Sequence, residues 1–235
     1  YSLGDHCQAC CSNSMPSHPD YELHHPLFAW LSVDVMQCTF ESNTQLVCMP
    51  AGEVLKQFFK SPFPPLNIPH CNEDVGTDTV HSTIPAVDDG STMAQIFCGT
   101  DSLVTDAYGM STEKEFINTL EDNIHFRSAM RHLISDRAQV EISHQVKDIL
   151  WSLFIGSWQS EPGNQHQNKT EQYIQMVKTT ANTLMDQTRA PAHTWLLALQ
   201  FVCFLLNHCW NPTINAVPMT IATGQPIDIS PFLCF

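Results

Sequence analysis

Three carboxylates in this chain have the type and spacing to share divalent metal: Asp78, Asp136 and Glu171. Asp78 sits inside Val-Gly-Thr-Asp-Thr-Val-His, a strand-like run where Asp is disfavoured. Asp136 follows the short apolar run Leu133-Ile134-Ser135. Glu171, separated from Asp136 by 34 intervening residues, lies at the start of a helical pattern. Hard cations such as Mg²⁺ take oxygen ligands and keep several waters, so carboxylates suit them and Cys or His do not. Two such ions roughly 3.5–4 Å apart stabilise the attacking and leaving oxygens of a phosphodiester exchange. Each acid also has a plainer explanation. Asp136 could end a strand in a turn, and Glu171 could answer a helix dipole.

The elements that must position these acids read as follows. Strands are expected over 74–83, 93–99 and 103–110, with a turn on Asp88-Asp89-Gly90. A helix should start at Ser111 or Thr112, where Thr112 and Glu115 fit a capping box with Glu115 reaching back to the cap. Phe116, Ile117, Leu120 and Ile124 then repeat at helical spacing. A strand over 132–135 ends at Asp136. An amphipathic helix over 140–154 follows, with Ile142, Val146, Ile149 and Leu150 on one stripe, then a strand over 155–159 and a loop over 160–167. A long helix over 170–187 buries Ile174, Val177, Ala181, Leu184 and Met185. A helix from Pro191 to about Trp210 is apolar around most of its circumference, which predicts that it is well buried. Residues 219–226 read as a short helix or turn. The sum is an α/β fold with a mixed five-stranded sheet flanked by helices.

Residues 1–70 differ in character. Residues 1–25 read as a loose lead-in and 26–60 as one or two short helices, with a breaker cluster at Ser61-Pro-Phe-Pro-Pro-Leu marking the boundary. The expected division is 1–70 as an N-terminal segment and 71–235 as the core. Cys7-x-x-Cys10, Cys11, His6, His18, His24 and His25 could hold zinc, but no second ligand pair has the spacing of a four-ligand site, so zinc is not expected there.

Composition limits the partners. Asp and Glu number 24 against 10 Lys and Arg, for a net charge of −14, which argues against a strong electrostatic grip on nucleic acid. Apolar residues make up 43%, enough for a sizeable core. The longest apolar run, 195–206, is too short to span a bilayer, and residues 1–15 are polar and do not resemble a signal peptide. An intracellular protein, nuclear or cytoplasmic, is expected, with its ten cysteines mostly reduced and Cys203 buried.

The element order, with acids on the first strand, after the fourth and on a late helix, resembles the ribonuclease-H-like fold. The spaced Asp78, Asp136 and Glu171 resemble the Asp-Asp-Glu signature of retroviral and retrotransposon integrases. The tail adds to this. Pro191-x-x-x-Trp195, Ala198, Leu206-Asn207 and Pro218-x-x-x-Ala222-x-Gly224-x-Pro226 are similar to the region after the catalytic glutamate in Copia-type retrotransposon integrases. The resemblance covers roughly residues 73–235. It implies Mg²⁺ or Mn²⁺ held by Asp78, Asp136 and Glu171, with Asp78 bridging two ions, and DNA 3′-end processing followed by strand transfer. It also implies DNA as partner and a homo-oligomer.

Lys178 lies seven residues after Glu171, nearly the same helix face at about 100° per residue. It resembles the basic residue with which integrases contact DNA phosphate. Gln167 and Asn168 fall where integrases carry a polar loop beside the active site. The family usually has Gly after this Asn and Arg after the Glu, where this chain has Lys169 and Gln172. Arg occurs only at 127, 131, 137 and 189, while Cys, His, Gln and Trp, each one transition from an arginine codon, are abundant. An ageing genomic copy that keeps its fold and loses DNA grip fits that pattern. A catalytically silent interaction or nucleic-acid-binding relic of the same fold, and a zinc-organised domain, stay open as alternatives.

Overall fold

The computed structural model describes residues 21–43, 72–135, 143–159, 165–224, 227 and 229. Its elements are α1 (Tyr21–His24), a 3₁₀ turn (His25–Phe28), α2 (Val33–Ser42), β1 (Asp74–His81), β2 (Met93–Gly99), β3 (Thr105–Met110), a 3₁₀ turn (Glu113–Glu115) and α3 (Phe116–Arg127). There follow β4 (His132–Ser135), α4 (His144–Ser152), β5 (Gly156–Gln159), α5 (Gln165–Thr188), a 3₁₀ turn (Ala192–Thr194), α6 (Trp195–His208) and α7 (Pro218–Thr223).

The strands form one sheet in the order β3-β2-β1-β4-β5. β1 pairs antiparallel with β2, and β2 with β3, while β4 lies parallel to β1 and β5 parallel to β4. This is the expected mixed five-stranded α/β architecture, with β1 at its centre. Alternation along β2 shows how the sheet sorts its two faces. Ala94, Ile96 and Cys98 pack into a core with Ile174 and Val177 of α5, Leu199 and Val202 of α6, and Met36 and Phe40 of α2. Phe97 points the other way, into a core with Phe116 and Leu120 of α3, Leu133 of β4, and Val146 and Leu150 of α4. Phe97 is almost fully buried, and truncating it to Ala would cost about 3–5 kcal/mol.

Several expectations shift at their edges. Tyr21–His24, expected within a loose lead-in, is helical. β1 ends at His81, β3 starts at Thr105, and α4 starts at His144, where the Ser143 hydroxyl accepts from the Val146 N–H. The Thr112 hydroxyl accepts no backbone N–H as a cap and instead donates to Glu115 Oε1 (3.4 Å). Glu115 reaches one residue further back, to the Ser111 N–H (2.8 Å). α6 is apolar all round yet not buried all round, because Leu197, Phe201 and Phe204 lie on an exposed face. The helical reading of 53–59 and the breaker cluster at 61–66 lie outside the described residues. No helix among the described residues is long and apolar enough to cross a membrane.

The tail residues that stood out in the sequence act as fasteners. The Trp195 indole N–H donates to the Ile84 carbonyl (2.9 Å), fixing the start of α6 to the loop after β1. The buried Asn207 amide accepts from the Thr105 N–H and donates to the Thr105 carbonyl (2.8 Å each), so it acts as a surrogate strand partner at the β3 edge. Pro218 starts α7 and Gly224 ends it at φ 69°, a left-handed C-cap that a glycine adopts without strain.

Candidate active site

The site is built where α5 crosses β1. A β-carbon on Gly76 would come within 2.6 Å of Thr170 Cγ2, so only a glycine lets the helix settle this close to the strand. Gly76, Asp78 and Val80 share the face of β1 that α5 covers, by the period of two. Tyr173, Ile174, Val177 and Ala181 bury the inner face of α5. Lys178 lies at the rim of that face and reaches Asp78. Its Nζ is 2.5 Å from Asp78 Oδ2, with the lysine side chain 25% and the aspartate side chain 37% exposed.

Glu171 stands two turns earlier on α5, about 10 Å along the axis from Lys178 by the helical rise. It is exposed, and its side chain makes no hydrogen bond or ion pair among the described residues. Asp136 lies outside the described residues. Gln167 and Asn168, expected in a loop, fall within the first turn of α5, which begins at Gln165. That stretch is rich in Gln, His and Asn, which gave no apolar stripe to mark a helix. Cys7, Cys10, Cys11, His6 and His18 also lie outside the described residues.

Asp78 fits a divalent metal in its chemistry, as a half-exposed hard-oxygen donor that already holds a cation. Among the described residues, no three His, Cys, Asp or Glu side chains are grouped closely enough to hold a metal ion.

A second charged cluster, not foreseen from the sequence, sits at the other end of β1. The Asp74 carboxylate accepts from Arg131 Nε (2.8 Å) and Nη2 (2.9 Å), and lies 2.6 Å from His132 Nδ1. The Arg131 guanidinium chiefly holds the Asp74 carboxyl below the usual carboxylate range, helped by His132 and opposed by burial. His132 stacks on Trp158 at 4.6 Å between ring centroids. These contacts clamp the starts of β1, β4 and β5 together. Nearby, the buried Glu73 carboxylate accepts from the Asp101 and Ser102 N–H groups (2.8 Å each) and from the Ser102 hydroxyl, nestled against Gly99. On the far side of the sheet, Arg127 makes a two-pronged pair with Asp106 (2.7 and 2.8 Å), both side chains under a fifth exposed. A cavity of about 740 Å³ opens there between α3 and α6 beside Phe126, Phe204 and Met219. Neither Asp78, Glu171 nor Lys178 lines it.

Solved structures share this architecture. One match is a chain of the simian T-cell lymphotropic virus intasome in complex with PP2A regulatory subunit B56 gamma. It is 17% identical at TM-score 0.54, over 66% of this chain and 55% of that one. This chain thus spans about half the length of that relative. Another is the catalytic core domain of BIV integrase, 18% identical at TM-score 0.52, over 64% of this chain and 93% of that domain. At these identities the likeness establishes the fold, the ribonuclease-H-like α/β fold of integrase cores. No protein-family model and no curated protein matches the chain.

Proposed function

We propose that this chain is an integrase-type catalytic core of a Copia-type retrotransposon, acting on DNA ends through Asp78, Asp136 and Glu171. The observation that carries the reading is Asp78 itself, a half-exposed carboxylate on the central strand of an integrase-core fold, faced by the helix that bears Glu171 and Lys178. The strand register supports Asp136 as its companion. Each β4 partner lies 58 positions after its β1 partner, as in Asp74 with His132 and Gly76 with Ile134. The same interval from Asp78 leads to Asp136. Mg²⁺ or Mn²⁺, when bound, would supply charge stabilisation for the attacking and leaving oxygens of a phosphodiester. Asp78, Asp136 and Glu171 would hold it, and Lys178, with Gln167 and Asn168, would orient the DNA backbone. The core would span 71–235, with 1–70 preceding it, although Met36 and Phe40 of α2 share its helix-side core. A homo-oligomer on DNA, in the nucleus or cytoplasm, completes the reading.

A catalytically silent copy of the same fold is the second reading, and specific observations favour it. The net charge is −14, and Arg127 and Arg131 are both committed to internal carboxylates. The test is strand transfer into plasmid by end-labelled duplex DNA at low salt with Mg²⁺ or Mn²⁺. Integrase chemistry gives products that Asp78→Asn removes. Absence of products with either metal, in folded protein, supports the silent copy.

A further inference from the structure

Three lysines have described side chains. Lys114 and Lys147 are exposed, and only Lys178 is drawn onto a carboxylate. That carboxylate is the acid to which the proposed function assigns the metal. A 2.5 Å contact puts the ammonium on one of the two oxygens that Asp78 can offer a divalent ion. Mg²⁺ binds carboxylate oxygen at about 2.0–2.1 Å, so an ion on Asp78 would sit close beside the ammonium, and their like charges repel at this range. The geometry is also not that of a free surface lysine. Lys178 is three-quarters covered, held along α5 beside the buried Val177 and Ala181.

We infer that Lys178 is a built-in counter-cation that closes the Asp78 position, so that a divalent ion binds only to the fraction of molecules in which the ammonium has swung away. This inference rests on the proposed role of Asp78 as a metal ligand. The apparent metal affinity is then the intrinsic affinity multiplied by the open fraction. A pair closed in about nine molecules of ten weakens metal binding about tenfold. Removing the ammonium restores that factor, while the carboxylates stay as they are. Lys178 is a positioning and regulatory residue in this account, since it touches a ligand rather than the reacting atoms.

The experiment is calorimetric titration of the full chain with MnCl₂ alone, for wild type, Lys178→Gln, Lys147→Gln and Asp78→Asn, each checked for folding by circular dichroism. Lys147→Gln removes the same unit of charge from a lysine without this contact. The expected result is Mn²⁺ binding about five- to tenfold tighter in Lys178→Gln, unchanged in Lys147→Gln, and lost in Asp78→Asn. If wild type binds and Asp78→Asn does not, but Lys178→Gln binds no tighter, the counter-cation role is wrong and the metal site stands. Equal gains in both lysine variants reduce the effect to bulk charge and also overturn it. If neither wild type nor Lys178→Gln binds Mn²⁺, Asp78 is not a metal ligand, and the functional reading fails together with the inference.

Discussion

Thr170 of α5 rests its Cγ2 methyl directly over Gly76 of β1, at a distance that leaves no room for a β-carbon. This contact sets the height of α5 above the sheet and thereby brings Lys178 onto Asp78, two positions further along the strand. Gly76→Ala should therefore cost about 1–3 kcal/mol by overpacking. Adding Thr170→Ala should recover part of the loss, because it removes the colliding methyl. Urea denaturation of the two single variants and the double variant measures this coupling. Additive losses would mean that the contact does not fix the helix.

Asn207 offers a second test of how the helices are fastened to the sheet. Its amide meets both backbone groups of Thr105 in a buried setting. Asn207→Leu leaves both unsatisfied, at about 1–3 kcal/mol for each group. A loss of several kcal/mol in chemical denaturation is expected. A loss below 1 kcal/mol would show that water or another group reaches Thr105.

The clamp at Asp74 predicts a pH dependence. Its carboxyl is held low by Arg131, so the folded state keeps it ionised to lower pH than the unfolded chain does. The stabilisation is present above the ordinary carboxylate value near 3.9 and is lost as pH falls through the lowered folded value. Asp74→Asn should thus melt below wild type at pH 6–7, and the gap should close as pH drops below about 4. A gap that stays constant down to pH 3 would rule out the ion pair as its source.

Thiol chemistry reads out the core directly. Cys98, Cys203 and Cys209 are buried. Burial raises the Cys203 thiol and pushes that of Cys209 up to about 12. These three should resist iodoacetamide in native protein at pH 8 and react once urea unfolds it, as mass spectrometry of peptides would show. Rapid native labelling of Cys203 would contradict the packing of α6 on the sheet.

Much of the fold was legible in the sequence because its signals are local. β2 matches its expected span of 93–99, since Ala94, Ile96 and Cys98 alternate against Phe97. Trp195 and Asn207 stood out as tail residues, and both turn out to bind backbone across the fold. The misses have tertiary causes. The first turn of α5 carries polar residues with no apolar stripe, so it read as loop. The exposed face of α6 was hidden because Leu197, Phe201 and Phe204 are as apolar as the buried side. The partner of Lys178 is 100 residues away in sequence, and no spacing rule links it to Asp78. Asp74, Arg131 and His132 went unnoticed for the same reason.

The central claim is that Asp78, Asp136 and Glu171 form one divalent-metal site. Clustered carboxylates repel one another until a cation joins them, and a ligand bound only by the folded state stabilises it. The most direct measurement is the melting temperature with and without 10 mM MgCl₂, an order-of-magnitude working concentration, for wild type and Asp136→Asn. At about ten times the dissociation constant the gain is roughly 1.4 kcal/mol, or a rise of about 3–5 °C for a chain of this size. The account predicts that rise in wild type and its loss in Asp136→Asn, with the metal-free variant no less stable than wild type. An equal rise in both proteins, or none in wild type, would contradict it.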